Sequence, residues 1–180
     1  MKRALIYDTE TTKLSPPSLA PLKEHPKVIE FYGCVVDLDV GDVIEELEFL
    51  CHPGEKIDKK ITEITSITNE MLEGKPPFRE YAPAVRKLIE TSTAVAAHNL
   101  SYDYGVINAE FLRIGTAPII WPDIRICTVE VTEHFKGFRL NLSGLHEHLF
   151  GQPFAGAHRA RVDVEALARC CVELRKRGVI

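Results

Sequence analysis

Asp8 and Glu10 stand two residues apart in the run Ala4-Leu5-Ile6-Tyr7-Asp8-Thr9-Glu10. On an extended strand alternate side chains share a face, so Ala4, Ile6, Asp8 and Glu10 project together while Leu5, Tyr7 and Thr9 project oppositely. Two carboxylates about 7 Å apart at their Cα atoms, by strand rise, can reach one hard cation and repel each other without it. The competing reading is a frayed strand end with solvated acids, because short acidic matches arise often by chance. Asp163 is a second anomaly. At about 100° per residue it falls at the centre of the stripe Ala166, Leu167, Cys170, Cys171 and Leu174, opposite Glu165, Arg169 and Glu173. A carboxylate aimed at a core must be protonated, paired or metal-bound, unless it sits in the first turn and clears the protein's edge. Spacing alone leaves both readings open. His158 precedes Asp163 by five residues, next to Ala155-Gly156-Ala157, and becomes informative if something nearby needs a base near neutral pH. Asp103, in the first turn after Ser101, suits a helix dipole with or without a further role.

The elements that would position these groups are legible in outline. Ala4 to Tyr7 reads as a buried strand, and Val28 to Leu38 with Val43 to Leu50 reads as a hairpin joined by Asp39-Val40-Gly41-Asp42. The Pro-rich stretch 13–27 between them is a loop. Helical spacing over 68–90 breaks at Gly74-Lys75-Pro76-Pro77. Val95-Ala96-Ala97 is a fourth strand, Ser101 is the expected N-cap of a helix to about Ile114, and Ile119 to Ile126 holds a fifth, irregular strand. A last helix runs from about Arg159 to Arg177 and stops at Gly178.

At 180 residues, 45% hydrophobic and 27% charged, the chain suits one globular domain, 1–180, and wholesale disorder is excluded. No apolar run reaches the roughly 18 residues of a membrane span, and the amino terminus reaches Asp8 before a signal-peptide core could form. Five cysteines without CxxC spacing point away from a disulfide framework or zinc finger and towards a reducing, cytoplasmic location. His134, His146 and His148 with Cys127 match no standard zinc spacing, and Trp121 reads as scaffold. A net charge of -4 argues against bulk electrostatic binding of duplex nucleic acid.

Taken in order, the acids and the histidine form three motifs: Ile6-Tyr7-Asp8-Thr9-Glu10-Thr11-Thr12, Ala97-His98-Asn99-Leu100-Ser101-Tyr102-Asp103, and His158-Arg159-Ala160-Arg161-Val162-Asp163. This set resembles the DEDDh (DnaQ-like) family of 3′-to-5′ exonucleases, and specifically its proofreading-subunit branch. The segments Ile64 to Leu72, Ile126-Cys127-Thr128 and Asn141 to Leu145 resemble the family's connecting segments, so the likeness spans nearly the whole chain. It implies an α/β, RNase H-like fold: a mixed five-stranded sheet with an antiparallel strand 1-2-3 meander, helices on both faces and the acids gathered at one end.

The resemblance further implies two Mg²⁺ or Mn²⁺ ions per site, with Asp8 bridging both, Glu10 and Asp163 completing one, Asp103 acting on the other, and His158 as general base. Oxygen donors suit such hard cations. Thr9, Thr11, Thr12, Thr65 and Asn99 are the implied nucleotide-binding positions. The implied substrate is a single-stranded 3′ end, DNA favoured over RNA, cut to nucleoside 5′-monophosphates in proofreading or repair, with a DNA polymerase as the partner raised by the likeness and no membrane involved. The alternatives are an exoribonuclease of the same family or an inactive nucleic-acid-binding module, which would have no use for clustered acids. Lys60 and Thr65 stand where the branch carries an acid and a histidine, and Lys13 stands where it usually has glycine.

Overall fold

The computed structural model describes residues 3–14 and 21–180. β1 (Arg3–Thr11), β2 (Val28–Asp37) and β3 (Val43–Leu50) form the antiparallel meander. β4 (Ala94–Ala97) lies parallel to β1 on its other side, and β5 (Ile124–Cys127) lies parallel to β4, giving the order β3-β2-β1-β4-β5. Helices α1 (Lys59–Thr65), α2 (Asn69–Leu72) and α3 (Phe78–Glu90) lead from β3 to β4, and α4 (Leu100–Arg113) joins β4 to β5. α5 (Thr128–Val131), α6 (Leu142–Phe150) and α7 (Ala160–Lys176) complete the described chain. This is the RNase H-like arrangement expected, and no described helix is long and apolar enough to cross a membrane.

The alternation read along β1 divides the core. Leu5 and Tyr7 enter an aromatic-rich layer with Phe31, Phe49, Phe78, Phe111 and Trp121, covered by α3 and α4. Ala4 and Ile6 face the other way, against Cys34, Val36 and the α7 residues Val164, Leu167 and Cys171. Cys170 and Cys171 are buried and free, as small core residues. Trp121 is buried scaffold, its Nε1–H donating to Asn108 Oδ1 at 3.0 Å.

Several boundaries differ from the sequence reading. β4 begins one residue earlier, at Ala94, and β5 occupies only Ile124–Cys127 because Pro118 and Pro122 interrupt the pairing before it. The N-cap of α4 is Asn99 rather than Ser101: Asn99 adopts φ 72°, a left-handed turn that asparagine tolerates, which places Ser101 inside the first turn. In the loop 13–27, residues 15–20 lie outside the described residues, while Leu22–Glu24 form a single 3₁₀ turn. The return limb of that loop is fastened to α4. Arg113 Nη2 donates to the carbonyls of Leu22, His25 and Pro26 at 3.3, 2.8 and 3.0 Å. Arg113 also pairs with the buried Glu110, which accepts the Val28 amide at 2.9 Å.

Leu167, 1% exposed, anchors α7 to the sheet. Its replacement by alanine should cost about 2–5 kcal/mol, read as a lower urea midpoint at unchanged slope. A cost under ~1 kcal/mol would mean that α7 is not held by this contact.

Candidate active site

β1 carries Asp8 and Glu10 on the side of the sheet that faces α7, continuing the line of Ala4 and Ile6. The pairing with β2 shifts register between Glu10 and Thr11, so regular pairing is broken immediately beyond the second acid. From the opposite side α7 brings Asp163 in its first turn. One oxygen from each of Asp8, Glu10 and Asp163 lies within 4.8 Å of the other two. Asp163 Oδ2 accepts the His158 amide at 3.0 Å, whereas its Oδ1 is buried with no hydrogen-bond partner. An orphaned carboxylate oxygen beside two further carboxylates is an all-oxygen donor set, and it fits a hard cation better than any other ligand.

Asp103 enters from α4 and is 3% exposed. It lies outside the three-oxygen set. Its Oδ1 accepts both the Thr9 amide at 3.0 Å and the Thr9 hydroxyl at 2.6 Å, while its charge is the largest electrostatic influence on Asp8. Packed together without a cation, the acids are shifted towards their protonated forms. Burial first, then the charges of Asp103, Glu10, Asp163 and Glu30, push Asp8 well above the usual carboxylate range. Burial followed by Asp163 and Glu30 lifts Glu10 to about 8. Burial lifts Asp103 to about 7 against the opposing Thr9 bonds, and burial also raises Asp163. Each shift marks the energetic demand a cation would meet.

His158 is exposed, in the loop before α7, with a left-handed backbone at φ 71°. The threonines are bound up internally. Thr9 holds Asp103, Thr11 meets Tyr102 Oη and the Lys13 carbonyl at 2.6 Å each, and the Thr12 hydroxyl accepts the Lys27 amide at 3.1 Å. Thr65, 2% exposed, donates to the Ile61 carbonyl and accepts the Ile67 amide, so its hydroxyl shapes its own turn. Asn99 is exposed, its Oδ1 accepting from the Ser101 hydroxyl at 3.3 Å.

Three interactions around the site escaped the sequence reading. Tyr102 Oη donates to the Lys13 carbonyl at 2.6 Å and ties α4 to the end of β1. His98 bonds Thr128 at 2.9 Å through Nδ1, and burial lowers its pKa to about 4. Glu30, 2% exposed in β2, pairs with Arg159 at 2.6 Å. The signal for Glu30 was present: a lone acid inside the apolar run Val28 to Val36 needs a partner.

A five-stranded sheet of this order, with carboxylates converging where its central strand ends, is the RNase H-like architecture. The chain belongs to the exonuclease family RNase_T, whose family model matches residues 5–171. It is 32% identical over 169 residues to the PolC-type DNA polymerase III of Pediococcus pentosaceus, covering 93% of this chain and 11% of that protein. The chain thus spans about a tenth of the length of that relative. In fold it is similar to exonuclease X in complex with 5′ overhanging duplex DNA (TM-score 0.69, 22% identity, 97% of this chain and 93% of that one). It is also similar to the zinc-bound complex of Escherichia coli exonuclease I with single-stranded DNA (TM-score 0.79, 20% identity, 98% and 41%).

The raised acids give a pH dependence with a fixed sign. For Glu10 and Asp103 the folded-state values of about 8 and 7 exceed the ordinary 4.5 and 3.8. Their stabilising contribution is therefore complete below the ordinary values and is lost as pH rises through 7 to 8. In EDTA the protein should melt at a lower temperature at pH 8.5 than at pH 5.5. Millimolar Mn²⁺ should raise Tm more at pH 8.5, and Asp163→Asn should abolish most of that rise. A melting temperature in EDTA that climbs across the window would refute the shifted acids.

Proposed function

We propose that residues 1–180 are one 3′-to-5′ exonuclease domain that hydrolyses single-stranded DNA from its 3′ end and releases nucleoside 5′-monophosphates. The observation that carries this reading is the convergence of Asp8, Glu10 and Asp163 with a buried, unpartnered Asp163 oxygen. Family membership and the relative's name as a PolC-type DNA polymerase III support a role in proofreading or repair beside a polymerase. The neighbour solved with single-stranded DNA supports the strand preference. The absence of a described membrane-spanning helix is consistent with work in the cytoplasm.

In this reading Asp8, Glu10, Asp103 and Asp163 would hold two Mg²⁺ or Mn²⁺ ions between them. The bound ions supply neutralisation of charge developing on the phosphoryl and leaving oxygens. The chain's own groups do the rest. His158 is the general base, exposed to solvent and tied to Asp163 through its amide, and its imidazole removes a proton from the water that attacks phosphorus. The bond between phosphorus and the 3′ oxygen of the penultimate nucleotide breaks, leaving a new 3′-hydroxyl on the strand and the 5′-phosphate on the released nucleotide. Thr9 fixes Asp103 through two hydrogen bonds, and Thr11 with Tyr102 holds the end of β1 against α4. The hydroxyls of Thr9, Thr11, Thr12 and Thr65 are internally bonded, so these residues act by shaping the nucleotide-binding end of the site. Asn99, exposed at the start of α4, contributes a side-chain contact.

Matched 5′-labelled and 3′-labelled single-stranded DNA and RNA, digested with Mg²⁺, Mn²⁺ or EDTA, test the reading. Metal-dependent ladders from the 5′ label with early loss of the 3′ label are expected, on DNA faster than RNA. Asp8→Ala should abolish them, and His158→Ala should lower kcat by about 10²- to 10⁴-fold with a smaller change in KM. Cleavage that survives Asp8→Ala, or none with any metal, would replace the enzyme by a binding-only module.

A further inference from the structure

Glu30, buried, pairs with the partly exposed Arg159 beside the site, and the acid set does not include either residue. Glu30 lies directly across from Glu10 in the antiparallel pairing of β1 and β2, so both project on the α7 side. A fifth carboxylate there would ordinarily add to the repulsion. Its side chain is 3% exposed, and both its oxygens are taken. Arg159 Nε donates to Oε1 and Oε2 at 3.1 Å each, Arg159 Nη2 donates to Oε1 at 2.6 Å, and the Ala160 amide donates to Oε2 at 2.9 Å. Glu30 therefore has no oxygen left for a cation.

These bonds fasten the start of α7. Arg159, the N-cap residue, makes no capping bond with its own side chain, and the first free amide of the helix is satisfied by Glu30 from the neighbouring sheet instead. His158 is the residue immediately before this anchor. The segment leading to it, Ala155-Gly156-Ala157, is exposed, and both Gly156 and His158 adopt positive φ. On its own side His158 is held through its amide to Asp163. The tether at Arg159 thus fixes how the chain leaves α7 at His158.

We propose that Glu30 and Arg159 are positioning residues that set the place of the His158 imidazole, Glu30 acting from β2 through the bidentate guanidinium and the Ala160 amide. This deepens the exonuclease reading and rests on it. Glu30→Gln keeps the shape and one acceptor while losing the charge, and Arg159→Lys keeps the charge while losing the fork. Loosening a general base by a fraction of its reach lowers the rate far more than binding.

The test is a double-mutant cycle in the intact protein, with hydrogen exchange alongside. Glu30→Gln should lower kcat on a single-stranded DNA 3′ end by about 10- to 100-fold with KM within about threefold, and Arg159→Lys should fall between it and the parent. In a His158→Ala background Glu30→Gln should cost less than about threefold further, because the residue it positions is gone. Mn²⁺ binding measured by calorimetry should change little for Arg159→Lys, which keeps the charge, and amide exchange should accelerate over 155–160 in both variants while β1 and α4 stay protected. A full additional loss in the His158→Ala background, or unchanged exchange over 155–160, would overturn the assignment. The unmutated protein separates the two failures. If it hydrolyses DNA and Glu30→Gln is equally fast, the tether alone is wrong; if it hydrolyses nothing, the reading of His158 as a base falls and the assignment falls with it.

Discussion

The structure turns on the mutual repulsion of carboxylates packed at the end of one strand. Asp8, Glu10 and Asp163 converge within 4.8 Å, with Asp103 and Glu30 close enough to raise their proton affinities. Desolvation and like charge act here in the same direction, and the Thr9, His158 and Arg159 interactions that oppose them only partly offset them. The arrangement is held by interactions elsewhere. Ala4 and Ile6, on the same face of β1, are buried against Val164 and Leu167, so the strand and helix that carry the acids are locked by apolar contact one turn away. Protonation or a hard cation is the remaining way to relieve the strain, and cation affinity and fold stability are consequently linked.

The two faces of the sheet divide the work. The aromatic layer beneath α3 and α4 is bulky, with Tyr7, Phe31, Phe49 and Phe111 in ring contacts, and it fixes β1 from behind. The α7 layer is built mainly from small and aliphatic residues, with Tyr32 its aromatic member, and α7 packs on the strands closely enough for Asp163 to reach Glu10. Charge is managed differently at each acid. Asp103 is bridged to Thr9, Glu30 is neutralised by Arg159, and Asp163 retains a bare oxygen. The acids that have internal partners thus shape the site, and the one left incomplete marks where a cation fits.

Much of this was legible in the sequence because its causes are local. Period-two alternation placed Asp8 and Glu10 on one face, and helical periodicity aimed Asp163 inwards; both are properties of neighbouring residues. The succession of elements along the chain and the break before Phe78 follow from turn and proline chemistry in the same way, whereas the arrangement of the strands in the sheet was implied by the family resemblance. What stayed hidden depends on partners distant in the chain. Thr9 meets Asp103 across 94 positions, and Glu30 meets Arg159 across 129. The apolar run around Glu30 announces that it needs a partner but not which one, and nothing near Thr9 announces Asp103. The cap of α4 was misplaced for a related reason: Ser101 has the residue type of a cap, but the left-handed turn at Asn99 is set by how β4 enters the helix.

The same economy of partners bears on how a chain of net charge -4 would engage a polyanion. Many of its cationic side chains are already in ion pairs: Arg86 with Glu90, Arg113 with Glu110, Arg159 with Glu30, Arg161 with Glu48, Arg175 with Asp39 and Arg177 with Glu173. Lys27 and Lys87 are paired with Glu55 and Glu45. A phosphate approaching these residues would have to compete with a carboxylate already in place, so these side chains offer little counterion release. On the proposed reading, attraction for the strand must then be concentrated where the carboxylates are, through the cations they hold. Loaded with two divalent cations, the four carboxylates would be neutralised, and a phosphate oxygen could then complete the coordination of ions that the chain alone leaves open.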